Sequence, residues 1–505
     1  MRRVFITAMI VNLLITFSYS QNKRDYIWLS GYTYQPVKGN IIDFNKNGKI
    51  DSIILGKAAI GDNNAIISDK KGNLLFYSNG CVVMDVTHNL MENGDSINYG
   101  EAWEEECVGF HPYLIGTQNS IILPDPGNED AGRNGYYLIH KRYELIFDPI
   151  IQAYSPELYY TYIDMNGNNG KGRVIEKNHA IFTTTNMPIS YLTACKHSNR
   201  KDWWIISQKK DTNLYYIVLL NTDTISLVDS ISIGNKIDIL SGHGQAKFSP
   251  DGSKYIIFNE DGVLIHDFNR ETGELSNFRH IITQDSSGLE GLAISPNSRF
   301  AYLSATTNLY QIDLWADDIQ SSLVHIDHWD GFNDYGFPVT FSNAQLAPDC
   351  KIYISSPNTV QHMSVINKPN EKGKACDFRQ HALKFPNLIG ASSIPNFPHF
   401  RIDEDQICDS TITWIPDEYI VAEPNVLSVY PNPASDRATI SVYTDGYEQG
   451  IIRIFDTNGT MIRSMDIDSE ATRQLDVKGM MPGVYAVEYV SYVSGGRDVR
   501  KLVVE

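Results

Sequence analysis

The chain has 505 residues, of which 42% are hydrophobic, 11% aromatic and 20% charged, a composition with ample core material that excludes a disordered chain. Its length exceeds the roughly 250–300 residues at which single cores stop growing, so it is modular or built of repeats. Sixty acidic against 42 basic residues leave a net charge of −18; that field excludes nucleic acid as a partner, since affinity for phosphates comes from Lys and Arg.

In chain order, Arg2 and Arg3 open a basic segment, residues 4–17 are mostly apolar, and small Ser18 and Ser20 precede Gln21. This layout predicts a secretory signal peptide over residues 1–20, because the apolar stretch falls short of the roughly 20 residues that span a bilayer. No later stretch is long and apolar enough to span. The mature chain is therefore expected outside the cytoplasm, with no transmembrane segment.

Residues 43–51 (DFNKNGKID) place Asp43, Asn45, Asn47 and Asp51 at positions 1, 3, 5 and 9 around Gly48. Calcium takes several oxygen ligands at flexible geometry and is the cation such a set would hold. Ile54 stands where an EF-hand loop needs a bidentate Glu. The competing reading is a polar Asn-Gly hairpin turn between two strands, and the sequence leaves both open.

Export into an oxidising compartment makes the six cysteines candidates for disulfides. Short loops close at the lowest entropic cost, which favours Cys81 with Cys107 and then Cys350 with Cys376. Cys195, in a strand-like context, suits either a disulfide or a buried thiol. No CxxC spacing points to a zinc ribbon. The acidic run EAWEEE, residues 101–106, reads as a solvated face or a site for a cation or basic ligand. Trp203 and Trp204 are adjacent on a strand, so one is expected in the core and the other free to stack on a sugar. His243, His325 and His328 stand alone and read as structural or surface residues.

Residues 247–258 (KFSPDGSKYIIF), 293–303 (AISPNSRFAYL) and 345–354 (QLAPDCKIYI) share one plan: an apolar entry, a polar turn, then an aromatic and β-branched strand. Looser copies begin at Ala65, Ser120 and Leu192. A period of roughly 45–50 residues with four strands per unit describes a β-propeller blade. Six anchored units, and one more from strands near residues 26–34 and 41–44 closed by residues 393–402, predict about seven blades over residues 21–402. Residues 403–425, acidic and punctuated by proline, read as a linker. From residue 426 to 505 seven short alternating strands predict a small Ig-like β-sandwich. The fold class is thus all-β.

The last segment also carries VYPNPASDRATISV (residues 429–442), IFDTNG (454–459), GVY (483–485) and the terminal KLVVE (501–505), in that order. In these motifs it resembles the C-terminal (type A) sorting domain of type IX secretion cargo. The resemblance implies Tyr430, Pro431, Asn432, Pro433, Gly483, Tyr485 and Lys501 as signal residues. It also implies a translocon, a shuttle and a sortase-like protease as partners, with release to the cell surface or the medium. Pro431 and Pro433 lack N–H donors and should stop the first strand, while the last strand should offer its edge for docking. The body resembles exported WD40-like, TolB-like propellers of Bacteroidetes-type bacteria, a likeness of fold that carries no activity.

Together these readings predict an exported propeller that binds an extracellular glycan or protein. The alternative is a secreted propeller enzyme acting on glycans or peptides, although neither sialidase boxes nor a G-x-S-x-G elbow occurs.

Overall fold

Frequent polar turns between β-branched and aromatic runs make this chain a succession of short antiparallel strands. The computed structural model describes residues 22–32, 38–46, 48, 50–56, 60–108, 116–128, 133–147, 151–236, 244–283, 285, 289–390, 392–404, 427–442, 449–456, 461–467, 472–491 and 497–504. The signal segment, most of the linker, Asn47 and His243 lie outside them.

The first sheet joins β1 (Ile27–Tyr32), β2 (Lys38–Asp43) and β3 (Ser52–Gly56); the second joins β4 (Ala65–Ser68), β5 (Leu74–Ser78) and β6 (Val83–Asp85). After helix α1 (Glu101–Glu106) comes a four-stranded meander of β7 (Ser120–Pro124), β8 (Gly135–Phe147), β9 (Ile151–Asp164) and β10 (Arg173–Met187). The next is β11 (Thr193–Lys196), β12 (Trp203–Gln208), β13 (Leu214–Leu220) and β14 (Ile225–Ser232). Then follow β15 (Gln245–Phe248), β16 (Lys254–Asn259), β17 (Gly262–Phe268) and β18 (Leu275–Ile281). The sixth meander is β19 (Gly291–Ile294), β20 (Phe300–Ala305), β21 (Asn308–Asp313) and β22 (Val324–His328). A small hairpin, β23 (Asn333–Asp334) and β24 (Phe337–Pro338), precedes the sheet of β25 (Ala344–Leu346), β26 (Ile352–Ile354), β27 (Val360–Ile366) and β28 (Phe378–Ile389).

The opening strands of successive sheets pack on one another, as in β11 on β15, β15 on β19 and β19 on β25. These inner strands are buried along their length, whereas the outer β14 is largely exposed. Inner strands covered on both faces and outer strands open to water define the body as a β-propeller.

The repeat turns explain the period. At Ser249 the amide of Gly252 donates back to the Ser249 carbonyl (2.7 Å) and the Ser249 amide to the Lys254 carbonyl (2.9 Å). The same pair of bonds recurs at Ser295, from Ser298 (2.8 Å) and to Phe300 (2.8 Å), and at Ala347, from Cys350 (3.0 Å) and to Lys351 (2.9 Å). The closing position has φ of +72° at Gly252, +60° at Ser298 and +63° at Cys350. Glycine reaches that region without strain, and its replacement by Ser and Cys shows bonds within the turn holding the conformation.

Closure differs from the sequence expectation. The third strand of the first sheet is β3, while the segment after β28 forms no strand among its described residues. It crosses the inner strands instead. The Asn396 carboxamide donates to the Ser120 and Leu192 carbonyls (3.0 Å each) and accepts from Gln118 (3.1 Å), and the Asn396 amide donates to the Asn64 carbonyl (2.9 Å). The side chain and backbone amide of Asn396 together thus tie the openings of three sheets, which a strand at a sheet edge cannot do. Arg401 pairs with Asp25, and Asn40 and Asn387 exchange hydrogen bonds of 3.1 and 3.0 Å. The linker reading also shifts at its start. Asp403 pairs with Arg270 (2.6 Å) and Glu404 accepts from the Asn22 amide (3.2 Å), so both belong to the body.

The C-terminal unit stacks β29 (Leu427–Tyr430), β30 (Arg437–Val442) and β33 (Thr472–Asp476) against a sheet ordered β32 (Met461–Ile467), β31 (Gly450–Phe455), β34 (Gly483–Ser491) and β35 (Arg497–Val504). Its separate core includes Leu427, Ala438, Ile440, Ile452, Val487 and Leu502, all buried.

Candidate sorting surface and candidate ligand-facing hairpin

The signal residues divide into two sets. Tyr485 is buried, 7% exposed, and its hydroxyl donates to the Met481 carbonyl (2.7 Å); it serves the core beside the last strand. Gly483 opens β34 opposite Val504. By contrast Tyr430 is 77% exposed, and Pro431, Asn432, Pro433 and Lys501 are exposed too. The Asn432 carboxamide donates to the Lys501 carbonyl (2.6 Å) and accepts from the Val503 amide (2.8 Å). Next to it the Ala434 amide donates to the Val503 carbonyl (2.8 Å). The two ends of the domain, far apart in sequence, therefore form one surface. Over residues 501–503 the edge of the last strand is already covered, so the edge docking expected from the sequence is closed there. The sequence named Asn432 as a signal residue but not its partner, because an Asn in a turn gives no sign of a bond to a residue 69 positions away.

In the DFNKNGKID run, Asp43 accepts from the Asn45 amide (2.7 Å), the Asp51 amide donates to the Asp43 carbonyl (2.6 Å), and Asn45 Nδ2 donates to the Gly72 carbonyl (3.0 Å). Asp51 is exposed, and Asn47 lies outside the described residues. The Asp43 and Asn45 side chains and the Asp51 backbone thus serve a turn and its anchor on the β4–β5 hairpin, which fits the hairpin reading better than a calcium cage. Among the described residues no group of three or more His, Cys, Asp or Glu is placed to hold a metal.

Cys81 and Cys107 form a disulfide, with Cα atoms 5.7 Å apart. The proposed Cys350–Cys376 pair is not formed. Cys376 is a buried free thiol, and Cys350 is disulfide-bonded to another cysteine. Loop length misjudged the pair because Cys376 sits in the core with Phe341, Ile366 and Phe378. Cys195 is also free and buried, and burial pushes its thiol up to about 12.

Both tryptophans are buried, Trp203 against Phe400 and Trp204 stacked on His197 with its ring N–H on the Arg270 carbonyl. The expected free face does not exist, because neighbouring sheets cover both sides of β12. EAWEEE forms α1, which buries Ala102 and exposes Glu101, Glu104 and Glu105. His325 and His328 hydrogen-bond to Asn308 and to the Trp329 carbonyl.

The sequence reading also missed the β23–β24 hairpin. Tyr335 and Phe337 on it are 69% and 53% exposed. The turn residues Tyr335 and Gly336 have φ of +49° and +83°, the two-residue hairpin geometry that ordinarily takes Asn-Gly. Its base is clamped. Asp334 lies 2.9 Å from His362 Nδ1, Asp330 lies 3.0 Å from His381 Nε2, and Phe332 stacks on His381 with centroids 4.2 Å apart. Burial holds His362 below its ordinary value despite the Asp334 carboxylate. Gln361 accepts from the Tyr335 hydroxyl (3.3 Å) and Asn333 donates to the Gly331 carbonyl (2.8 Å). Two aromatic rings thus stand outward on a rigid base bordered by carboxamides.

The chain is a two-unit all-β protein, a propeller followed by a sandwich whose two terminal motifs meet on one surface. Residues 428–505 match the family described as the secretion system C-terminal sorting domain. The C-terminal unit is such a domain, and the chain is cargo of the type IX system, sent across the outer membrane to the cell surface or beyond. No helix among the described residues is long and apolar enough to cross a membrane. Solved structures similar to this chain include a proposed 6-phosphogluconolactonase from Bacteroides fragilis, 11% identical over 73% of this chain and 98% of that one (TM-score 0.41). Another is the extracellular domain of a proposed hybrid two-component system from B. thetaiotaomicron, 12% identical over 89% and 58% (TM-score 0.36). A third is PorZ, a surface component of the type IX secretion system of Porphyromonas gingivalis, 11% identical over 93% and 68% (TM-score 0.27). Among curated proteins no match is found.

Proposed function

We propose that this is a cell-surface binding protein in which the sandwich is the address and the propeller the working part. The address engages the translocon and a shuttle, and a sortase-like protease removes it. The β23–β24 hairpin then meets a neutral extracellular glycan. The observation that carries this reading is the exposure of Tyr335 and Phe337 on a clamped turn. Tyrosine at positive φ costs roughly 1–2 kcal/mol, and no burial of its ring offsets that cost, the pattern expected where a residue serves a ligand. Aromatic faces cover the C–H faces of sugar rings, while the carboxamides of Asn333 and Gln361 can both donate to and accept from hydroxyls. The charge of −18 disfavours an anionic polymer.

The test is retention of the signal-cleaved protein on neutral and anionic surface polysaccharides, beside a Tyr335→Ala/Phe337→Ala variant. Retention on a neutral polymer, at least about tenfold weaker in the variant, supports the reading. Equal retention removes the hairpin from it. Release of soluble sugar or peptide fragments would favour the alternative, a secreted propeller enzyme.

A further inference from the structure

The geometry points to Asn432 as the lock of the export signal: its carboxamide takes the place of a peptide group beside the last strand, so the signal is presented only when both ends of the domain have met. The inference rests on the sorting-domain assignment and concerns how that domain is read. A strand at the end of a sheet offers alternate N–H and C=O groups outward. β35 has β34 on one side. On its other side the Lys501 carbonyl, the Val503 amide and the Val503 carbonyl are taken by Asn432 Nδ2, Asn432 Oδ1 and the Ala434 amide, at 2.6, 2.8 and 2.8 Å.

A side chain does this work because the backbone cannot. Pro431 and Pro433 carry no N–H, so the segment between β29 and Ala434 has one backbone donor, on Asn432 itself. A carboxamide carries the same donor and acceptor as a peptide group. It meets two backbone groups at once, as a neighbouring strand does.

The lock also reports on folding. Its bonds join residues 69 and 71 apart in sequence, and they link the chain leaving the three-stranded sheet to the outermost strand of the four-stranded one. Asn432 is exposed, so its loss leaves no cavity. The other end of β35 has its own ties: Asp498 accepts from the Leu427 amide (3.0 Å), and Arg500 Nε donates to the Leu427 carbonyl (3.0 Å). Removing the lock should therefore free only the last residues. A partner that reads Tyr430 and Lys501 together would then lose its target in an otherwise folded domain.

Full-length Asn432→Ala and Asn432→Asp are compared with the parent for amide exchange along residues 497–504 and for exported fraction. Asn432→Ala should speed exchange at Val503 by about tenfold while the core strands stay protected, and should lower export at least tenfold. Asn432→Asp keeps an acceptor for the Val503 amide but loses the donor to Lys501, so it should fall between the two in both readouts. If Asn432→Ala unfolds the whole domain, Asn432→Asp carries the same comparison. Faster exchange with normal export overturns the lock. Lost export with unchanged exchange overturns it too, since Asn432 would then be read directly. A deletion of residues 426–505 that leaves export intact would instead refute the sorting-domain assignment itself.

Discussion

His140 is fully buried between Asn98 and Thr161, at 2.6 and 2.9 Å, and burial pushes its pKa down to about 3. His266, among Tyr215, Tyr255 and Phe278, is pushed down to about 4. In the unfolded chain both titrate near 6.5. Above that pH both states are neutral and nothing is lost; below it the unfolded state takes protons that the folded state refuses. Stability should therefore fall as pH drops from 6.5 towards 4, by up to about 1.4 kcal/mol per pH unit for each ring. Denaturant titrations at stepped pH should show a shallower fall in His266→Phe, which keeps the ring packing and cannot titrate. The cysteines give a second check at this scale. Non-reducing peptide mapping should join Cys81 to Cys107 and should leave Cys376 free. The peptide bearing Cys350 should be recovered in a disulfide with another cysteine peptide and not with the one bearing Cys376.

Among the elements, the segment after β28 is the one whose loss should be felt most widely. Asn396→Ala removes bonds to the Ser120 and Leu192 carbonyls and to Gln118 at a site 3% exposed. With those buried groups left unpaired, the cost should be about 2–4 kcal/mol in denaturant unfolding. The 43–51 hairpin is expected to behave as a turn: millimolar calcium should leave the melting temperature of the parent and of Asp51→Ala alike. A calcium-dependent rise in the parent that Asp51→Ala lacks would restore the metal reading. The β23–β24 turn should separate stability from binding. Asn adopts positive φ at lower cost than Tyr, so Tyr335→Asn should stabilise the protein by about 0.5–1 kcal/mol while weakening retention on the glycan.

For the whole molecule, export is the property to measure. The body and the sandwich have separate cores, so a chain ending before residue 426 should fold and stay in the periplasm. Fractionation of cells expressing full-length and truncated chains checks this, and equal surface delivery of the two would overturn it. Processing within residues 414–426 should leave surface or released protein about 9 kDa lighter than the signal-cleaved precursor, at average residue mass.

Local chemistry by itself determined the repeat turns, the propeller period, the all-β class, the Cys81–Cys107 pair and the sorting motifs, because each depends on residues close together or on composition. The fates of other residues turned on partners far away in the chain. Trp203 and Trp204 are both covered because a propeller packs a sheet on each side of β12. Cys376 stays free because it faces core residues and not Cys350. The closing segment gives up strand form because Asn396 finds three sheets within its reach. Asn432 gains its role from a strand 69 residues later. Short-range turn bonds can be read along a chain, whereas which surfaces meet is settled only when loops close and sheets stack, so the tertiary structure alone decided these points.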